Sequence, residues 1–176
     1  SKTKRARKRR RRLRRRVDNA LTFSDVGCNV GFAVEAARSL GVESLGIDLD
    51  RAAIARARSI FPDCRFEAVD VAAVADRGDR FDLVYTAEVI EHLTGPVAFA
   101  KQLRRVTASG GALFLTTPDV GHRSVVKDPF AGDFIRPPEH LLYFTRQALR
   151  SVLQRAGYTR VRFEPTLKST IKVIAS

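Results

Sequence analysis

Methionine and tryptophan are absent from this sequence of 176 residues, and cysteine occurs only twice. The two cysteines, Cys28 and Cys64, form no C-x-x-C pair, which argues against a zinc site and for a reducing compartment, here the cytoplasm. No apolar run approaches the roughly 20 residues of a membrane span. None of about 7–15 residues follows the basic N-terminus to complete a secretory signal. There is no internal repeat. A start at Ser1 without any methionine points to a processed or engineered terminus. What remains is a 44% hydrophobic composition, arranged in punctuated runs after residue 20 and sufficient for one compact domain with its own core.

Acid is also missing from residues 1–16, where 12 of the 32 Lys and Arg lie, whereas residues 17–176 set 20 basic against 19 acidic side chains. The net charge of +13 therefore belongs almost wholly to an appended arm, and the body is nearly neutral. The expected organisation is a basic arm over 1–19, disordered or helical, followed by one domain over 20–176. Such a block is a solvated tail, a contact for RNA or DNA phosphates, a contact for an anionic membrane or an acidic partner, or a targeting signal.

After the arm, strand-like and helix-like segments alternate across short turns, the pattern of a parallel sheet covered by helices. Leu21–Val26 reads as a first strand, and Phe32–Leu40 as a helix ended by Gly41. Ser44–Asp48 reads as a second strand. Asp50 can cap a helix over Arg51–Phe61 that Pro62 stops. Cys64–Asp70 alternates as a third strand, and Phe81–Thr86 is apolar enough for a central one. Pro96 suits the first turn of a helix reaching about Val106, with Gly110–Gly111 closing it before a strand at Ala112–Thr117. Residues 118–140 show no clear periodicity and are long for a connection, as functional loops are. Thr145 can cap a helix ended by Gly157, and strands at Tyr158–Phe163 and Thr170–Ala175 follow.

Ligands of open α/β sheets bind beyond the carboxyl ends of the strands, and the candidate residues lie at such ends. The first group is the turn Asp25-Val26-Gly27-Cys28-Asn29-Val30-Gly31, whose glycines allow close backbone approach to a ligand. Asp48 ends the second strand, where two carboxylate oxygens match the two hydroxyls of a ribose. Asp70 ends the third, placed to accept from an exocyclic amine such as that of adenine. Each carboxylate also has the ordinary reading of a cap or turn former. The turn lacks the third glycine of G-x-G-x-x-G, which disfavours a nicotinamide dinucleotide, and no G-K-[ST] follows it, which disfavours a P-loop.

These residues resemble the class I S-adenosylmethionine-dependent methyltransferases, over about residues 20–176. The D-V-G-C-N-V-G turn is similar to the family's D-x-G-C-G-x-G, with Asn29 at the middle glycine. Gly46-Ile47-Asp48-Leu49-Asp50 resembles its acidic second motif, and Val69-Asp70-Val71 its adenine-binding turn. Phe81–Tyr85, Glu88–Leu93 and Ser109–Asp119 resemble later motifs in order. Pro137–Thr145 is similar to a stretch in a branch acting on small molecules and sugars. The resemblance implies a Rossmann-like, doubly wound sheet of seven strands, the last antiparallel, with S-adenosylmethionine as cofactor. It places Asp25, Gly27 and Gly31 at the methionine part, Asp48 at the ribose, Leu49 on the adenine face, Asp70 and Val71 at the adenine edge, and Ala87 facing the sulfonium.

Glu88, Glu91 and His92 are spaced i, i+3, i+4, so one helical turn would place them on one face, and His140 comes from the loop. Together they are candidate ligands of a divalent metal, which could lower the pKa of a hydroxyl acceptor. The pattern looks like the metal site of small-RNA terminal 2′-O-methyltransferases and of quinone-pathway O-methyltransferases. Two other readings stand beside it: His92 as a metal-free general base with Glu91 and His140 in the catalytic set, or structural roles, with Glu91 meeting Arg104 or Arg105. The expected function is O-methylation of a small-molecule or sugar acceptor. The alternatives are an RNA methyltransferase using the arm, or a catalytically silent nucleic-acid-binding or regulatory protein.

Overall fold

The structure is a computed structural model that describes residues 20–128 and 140–176; the basic arm and part of the 118–140 loop lie outside the described residues. Seven strands form one sheet in the order β3-β2-β1-β4-β5-β7-β6. They are β1 (Thr22–Val26), β2 (Glu43–Ile47), β3 (Arg65–Glu67), β4 (Phe81–Ala87), β5 (Thr107–Pro118), β6 (Val161–Phe163) and β7 (Thr170–Ala175). β1, β2 and β3 pair in parallel, whereas β7 runs antiparallel to both β5 and β6. The helices are α1 (Phe32–Arg38), α2 (Arg51–Ile60), α3 (Val71–Asp76), α4 (Pro96–Val106), α5 (Arg123–Lys127) and α6 (Arg146–Arg155). The chain divides into two compact units, the first running to Tyr85 with Arg105–Ala112, the second comprising Thr86–Arg104 and Leu113–Ser176.

In the first unit, β1 and β2 are each buried along all but their first residue, and their register sets Asp25 beside Gly46 and Val26 beside Ile47. α1 presents Ala33, Val34, Ala36 and Ala37 as its buried side. Phe66 of β3 packs into a cluster with Cys28, Val34, Ile54 and Ala57. Asp82 fastens β4 to β1: its Oδ2 accepts from Leu21 N, Thr22 N and Thr22 Oγ1 at 2.9, 2.9 and 3.0 Å. Burial pushes that carboxyl up, but the two backbone N–H groups and the hydroxyl outweigh it and hold the group below its ordinary range.

The second unit buries Leu103 of α4, Leu113 and Leu115 of β5, Leu149 and Leu153 of α6, and Ile171 and Val173 of β7. Thr145 caps α6 as its sequence suggests, with Oγ1 accepting from Ala148 N at 3.2 Å. Asp50 likewise caps α2, accepting from Ala52 N at 2.8 Å.

Four elements differ from the expectations. β3 spans only Arg65–Glu67, because Asp70 turns the chain into α3, whose Val71, Val74 and Ala75 repeat at helical spacing and are buried. β5 begins at Thr107, directly after α4, and contains Gly110 and Gly111 instead of following them. Gly110 takes φ 77°, and a Cβ on Gly111 would lie 2.8 Å from the Asp82 carbonyl oxygen, so close backbone approach is what these glycines serve. β6 is confined to Val161–Phe163. The short α5 emerges from a stretch with no periodicity, and it buries only Val125.

Candidate functional site

The glycine turn after β1 is held by the neighbouring strand. Gly27 N and Cys28 N both donate to Ile47 O, at 2.9 and 3.0 Å, and Gly31 N donates to Cys28 O at 2.9 Å. Asn29 adopts φ 48°, the left-handed region that Asn tolerates, and Gly31 adopts φ 79° at the start of α1. A Cβ on Gly31 would meet the Phe66 ring at 2.3 Å. That ring is fixed in the core, so packing as well as ligand approach requires glycine here. Gly46 has the same constraint from Phe66 and Val34, which the sequence offered no signal to detect.

Asp48 joins the turn to the second strand end. Its Oδ2 accepts from Asn29 N at 2.8 Å and its Oδ1 from Asp50 N at 3.0 Å. An ionised carboxylate has about four acceptor positions, so two remain for other donors. Leu49, next along, is 73% exposed although apolar, a free face for a flat ring. Asp70 caps α3 through Oδ1, accepting from Ala73 N at 2.7 Å, and Oδ2 has no partner among the described residues. Val71 is buried at the start of that helix, and Asp25 is buried within β1. Burial pushes the Cys28 thiol up and the charges of Asp25 and Asp48 push it further, so it stays a neutral thiol. Ala87, the remaining candidate, is the half-buried last residue of β4 in the second unit.

The acidic and histidine candidates all lie in the second unit. Glu88, Glu91 and His92 do not share a helical face: Glu88 sits outside the helix at φ 57°, and only Ile90–His92 forms a 3₁₀ turn. A 3₁₀ turn has three residues per turn, so the i, i+4 alignment of an α-helix is lost. The structure instead brings Glu91, His92 and His140 together, with one ligand atom of each lying within 4.8 Å of the others. Glu88 falls outside this set. Its carboxyl accepts from Thr116 Oγ1 at 2.9 Å. It is pushed up to about 7, first by burial among its neighbours and then by the adjacent Glu91 charge, even though the residue as a whole is exposed.

Glu91 is 1% exposed. Oε2 accepts from Thr117 Oγ1 at 2.9 Å, and Oε1 is buried with no donor. Such an acceptor calls for a cation or a proton, and a proton retained on Glu88 would serve the second need. The arginines considered as partners for Glu91 are engaged elsewhere: Arg105 pairs with Asp76 at 2.7 Å, and Arg104 lies over the Tyr158 ring. His140 reaches the cluster because Leu141 N and Leu142 N both donate to Glu91 O, at 2.9 and 3.0 Å. The His92 and His140 rings then meet edge to face at 4.9 Å, with Tyr143 6.3 Å from His140. Sequence reading missed Thr117 and Tyr143. Thr117 was detectable as a hydroxyl at the end of a buried strand.

One carboxylate and two imidazoles suit a first-row transition metal better than magnesium. The buried, undonated oxygen of Glu91 fits that assignment, and among the described residues these three could hold such an ion.

A sheet ordered 3-2-1-4-5-7-6 with β7 reversed, a glycine turn after its first strand and acids after the second and third, defines a class I S-adenosylmethionine-dependent methyltransferase domain. A family model described as a methyltransferase domain matches residues 3–162, and the chain belongs to that family. The ubiquinone biosynthesis O-methyltransferase of Brucella ovis is 32% identical over 102 residues, covering 55% of this chain and 41% of that protein. The chain thus spans less than half the length of this relative. The N-terminal domain of EvdMO1, crystallised with SAH bound, has a similar fold at TM-score 0.73 and 21% identity, over 97% of this chain and 80% of that one. A SAM-dependent methyltransferase from Archaeoglobus fulgidus gives TM-score 0.75 at 15% identity, over 97% and 93%. At these identities the two structures establish the fold. No helix among the described residues is long and apolar enough to cross a membrane.

Proposed function

We propose that this domain transfers the methyl group of S-adenosylmethionine to an oxygen of a small acceptor, a sugar hydroxyl included. The observation that carries the oxygen assignment is the convergence of Glu91, His92 and His140, with one buried oxygen of Glu91 lacking a donor. A hydroxyl is a poor nucleophile until its proton is removed, so an oxygen acceptor needs a base or a cation beside it. Nothing comparable is needed for the cofactor, whose bound form supplies a methyl already activated on a positively charged sulfur.

In this reading Asp25, Gly27 and Gly31 approach the methionine part, Asp48 accepts from the ribose hydroxyls, and Leu49 covers one adenine face. Asp70 and Val71 meet the adenine edge, and Ala87 faces the sulfonium. Glu91, His92 and His140 hold a divalent cation, and Glu88 stands next to them as a carboxyl pushed up by burial and by the Glu91 charge. A cation there would lower the pKa of the acceptor hydroxyl. Without one, His92 is the base, and the exposed position of its side chain lets it meet an acceptor directly. The name of the Brucella ovis relative, an O-methyltransferase, supports an oxygen acceptor. A second reading, RNA as acceptor, is supported only by the 12 basic residues of the arm.

The test is methyl transfer from labelled S-adenosylmethionine to a panel of hydroxylated acceptors, with and without chelator. Turnover abolished in His92→Ala with cofactor binding retained supports the assignment. Tight cofactor binding with no turnover on any acceptor, RNA included, defeats it and leaves a silent cofactor-binding module.

A further inference from the structure

A polar concavity lies in the second unit just past the end of β5. It is a cleft of about 550 Å³ whose walls include Asp119, His122, Arg123, Thr145, Arg146 and Gln147. Its charge is set by two arginines against one acid, and that acid is already engaged. Asp119 is 4% exposed; its Oδ1 accepts from Gly121 N at 3.0 Å and its Oδ2 lies 3.5 Å from Arg146 Nε.

Arg146 is therefore held rather than merely solvated. Its Nε is drawn to a buried carboxylate, and its guanidinium carbon lies 6.0 Å from the Phe163 ring centre. Its other guanidinium nitrogens have no hydrogen-bond or ion-pair partner among the described residues, and Arg123 has none at all among them. Arg146 also opens the ten-residue helix α6, whose first-turn N–H groups add positive potential to the same wall. A guanidinium drawn toward a carboxylate through Nε leaves its terminal nitrogens as a planar fork, the geometry that carboxylate and phosphate oxygens match.

The cleft and the Glu91 cluster share the same two chain segments. Thr117 binds Glu91, and Asp119 follows two residues later on the same side of the extended chain, about 7 Å farther on. Beside them runs the segment that carries His140. Leu141 N and Leu142 N are bonded to Glu91 O, then Asp119 bridges in parallel to Phe144 and Val120 N donates to Phe144 O at 3.0 Å. A molecule lying along these two segments would reach the cluster at one end and the arginines at the other.

We infer that this cleft binds an anionic group of the acceptor, so that the substrates are hydroxy acids or phosphate esters whose hydroxyl lies about 7 Å or more from the charge. The inference rests on the oxygen-transfer reading for the position of the hydroxyl, but the anion site itself is measurable without turnover. Arg146 and Arg123 contact the anion, and Asp119 is a positioning residue acting through Arg146.

The full chain is assayed with labelled cofactor on matched acceptors: a hydroxy acid, its methyl ester, and the corresponding phosphate ester. The expected result is a KM at least about tenfold lower for a charged member than for the methyl ester, one charge-assisted contact being worth about that factor. The carboxylate and phosphate arms show which anion the cleft prefers. Arg146→Gln should raise the KM of the charged member about tenfold with little change in kcat, Arg146→Lys should restore part of it, and Asp119→Asn should raise it by less. Equal KM for acid, phosphate ester and methyl ester, or a charge preference that survives Arg146→Gln, overturns the inference. If no acceptor is methylated, the oxygen-transfer reading fails and the site is read by titrating acetate and inorganic phosphate against the backbone amide NMR signals of Gly121 and Arg146. Saturable shifts that Arg146→Gln abolishes sustain it, and their absence in the wild-type chain overturns it. Should Arg146→Gln not fold, the exposed Arg123→Gln replaces it in both measurements.

Discussion

Replacing Asp48 with Ala perturbs cofactor recognition and turn geometry together, and a ribose-modified ligand separates the two. The carboxylate anchors Asn29 N through Oδ2 and Asp50 N through Oδ1, which leaves acceptor positions that the proposed reading assigns to the ribose diol. Loss of the ribose contacts, charge-assisted and worth roughly 1.5–3 kcal/mol, should weaken cofactor binding about ten- to hundredfold. Loss of the two backbone anchors should also lower stability by about 1–2 kcal/mol, which thermal unfolding of the unliganded chain reads separately. Calorimetric titration with S-adenosylhomocysteine and its 2′-deoxy analogue then completes a cycle. The wild type should lose affinity on going to the deoxy compound, and Asp48→Ala should lose little more. Wild-type affinity in a folded Asp48→Ala chain, or an equal deoxy penalty in both proteins, refutes the assignment of this residue to the ribose.

Glu91→Ala should abolish binding of Mn or Zn, measured by calorimetry on the chain alone, while leaving S-adenosylhomocysteine affinity within about twofold; unchanged cation binding removes these three residues as the ligand set. Asp82→Asn should destabilise the fold by about 1–2 kcal/mol at neutral pH, because it removes the charge on which three donors converge. The Asp82 pKa is lowered on folding, so its contribution is complete above the unfolded value and is lost as pH falls through the folded one. The gap between wild type and variant should therefore close in acid, and a gap independent of pH counts against the ionised clamp. If the arm grips nucleic acid, deleting residues 1–16, with their 12 basic side chains, should remove salt-sensitive RNA or DNA binding and spare cofactor affinity; RNA binding that is equal with and without the arm leaves it a solvated tail or the contact of another partner.

Local chemistry was legible in the chain itself. The apolar runs of β1, β2 and β4, the caps Asp50 and Thr145, and the glycine turn with its acids at successive strand ends are properties of short segments, so spacing alone revealed them. The reversal of the last strand came from the family resemblance those segments carry, since their order alone pointed only to a parallel sheet covered by helices, and β7 is the reversed strand. Segments whose conformation depends on distant partners were read less well. β5 extends back over Gly110 and Gly111 where the chain passes close to the Asp82 carbonyl, and α5 carries too few apolar residues to announce itself. Helical spacing put Glu88 with Glu91 and His92, but the chain leaves β4 through a left-handed residue and a single 3₁₀ turn, and a shared face needs a continuous α-helix. His140 joins His92 only because Leu141 N and Leu142 N hydrogen-bond the Glu91 carbonyl, and Arg146 meets Asp119 only because β5 ends beside the segment leading into α6. Residue types and their spacing therefore determined the α/β class and the glycine turn, whereas the grouping of Glu91 with His92 and His140, and of Asp119 with Arg146, was decided by long-range backbone pairing, whose partners no local pattern encodes.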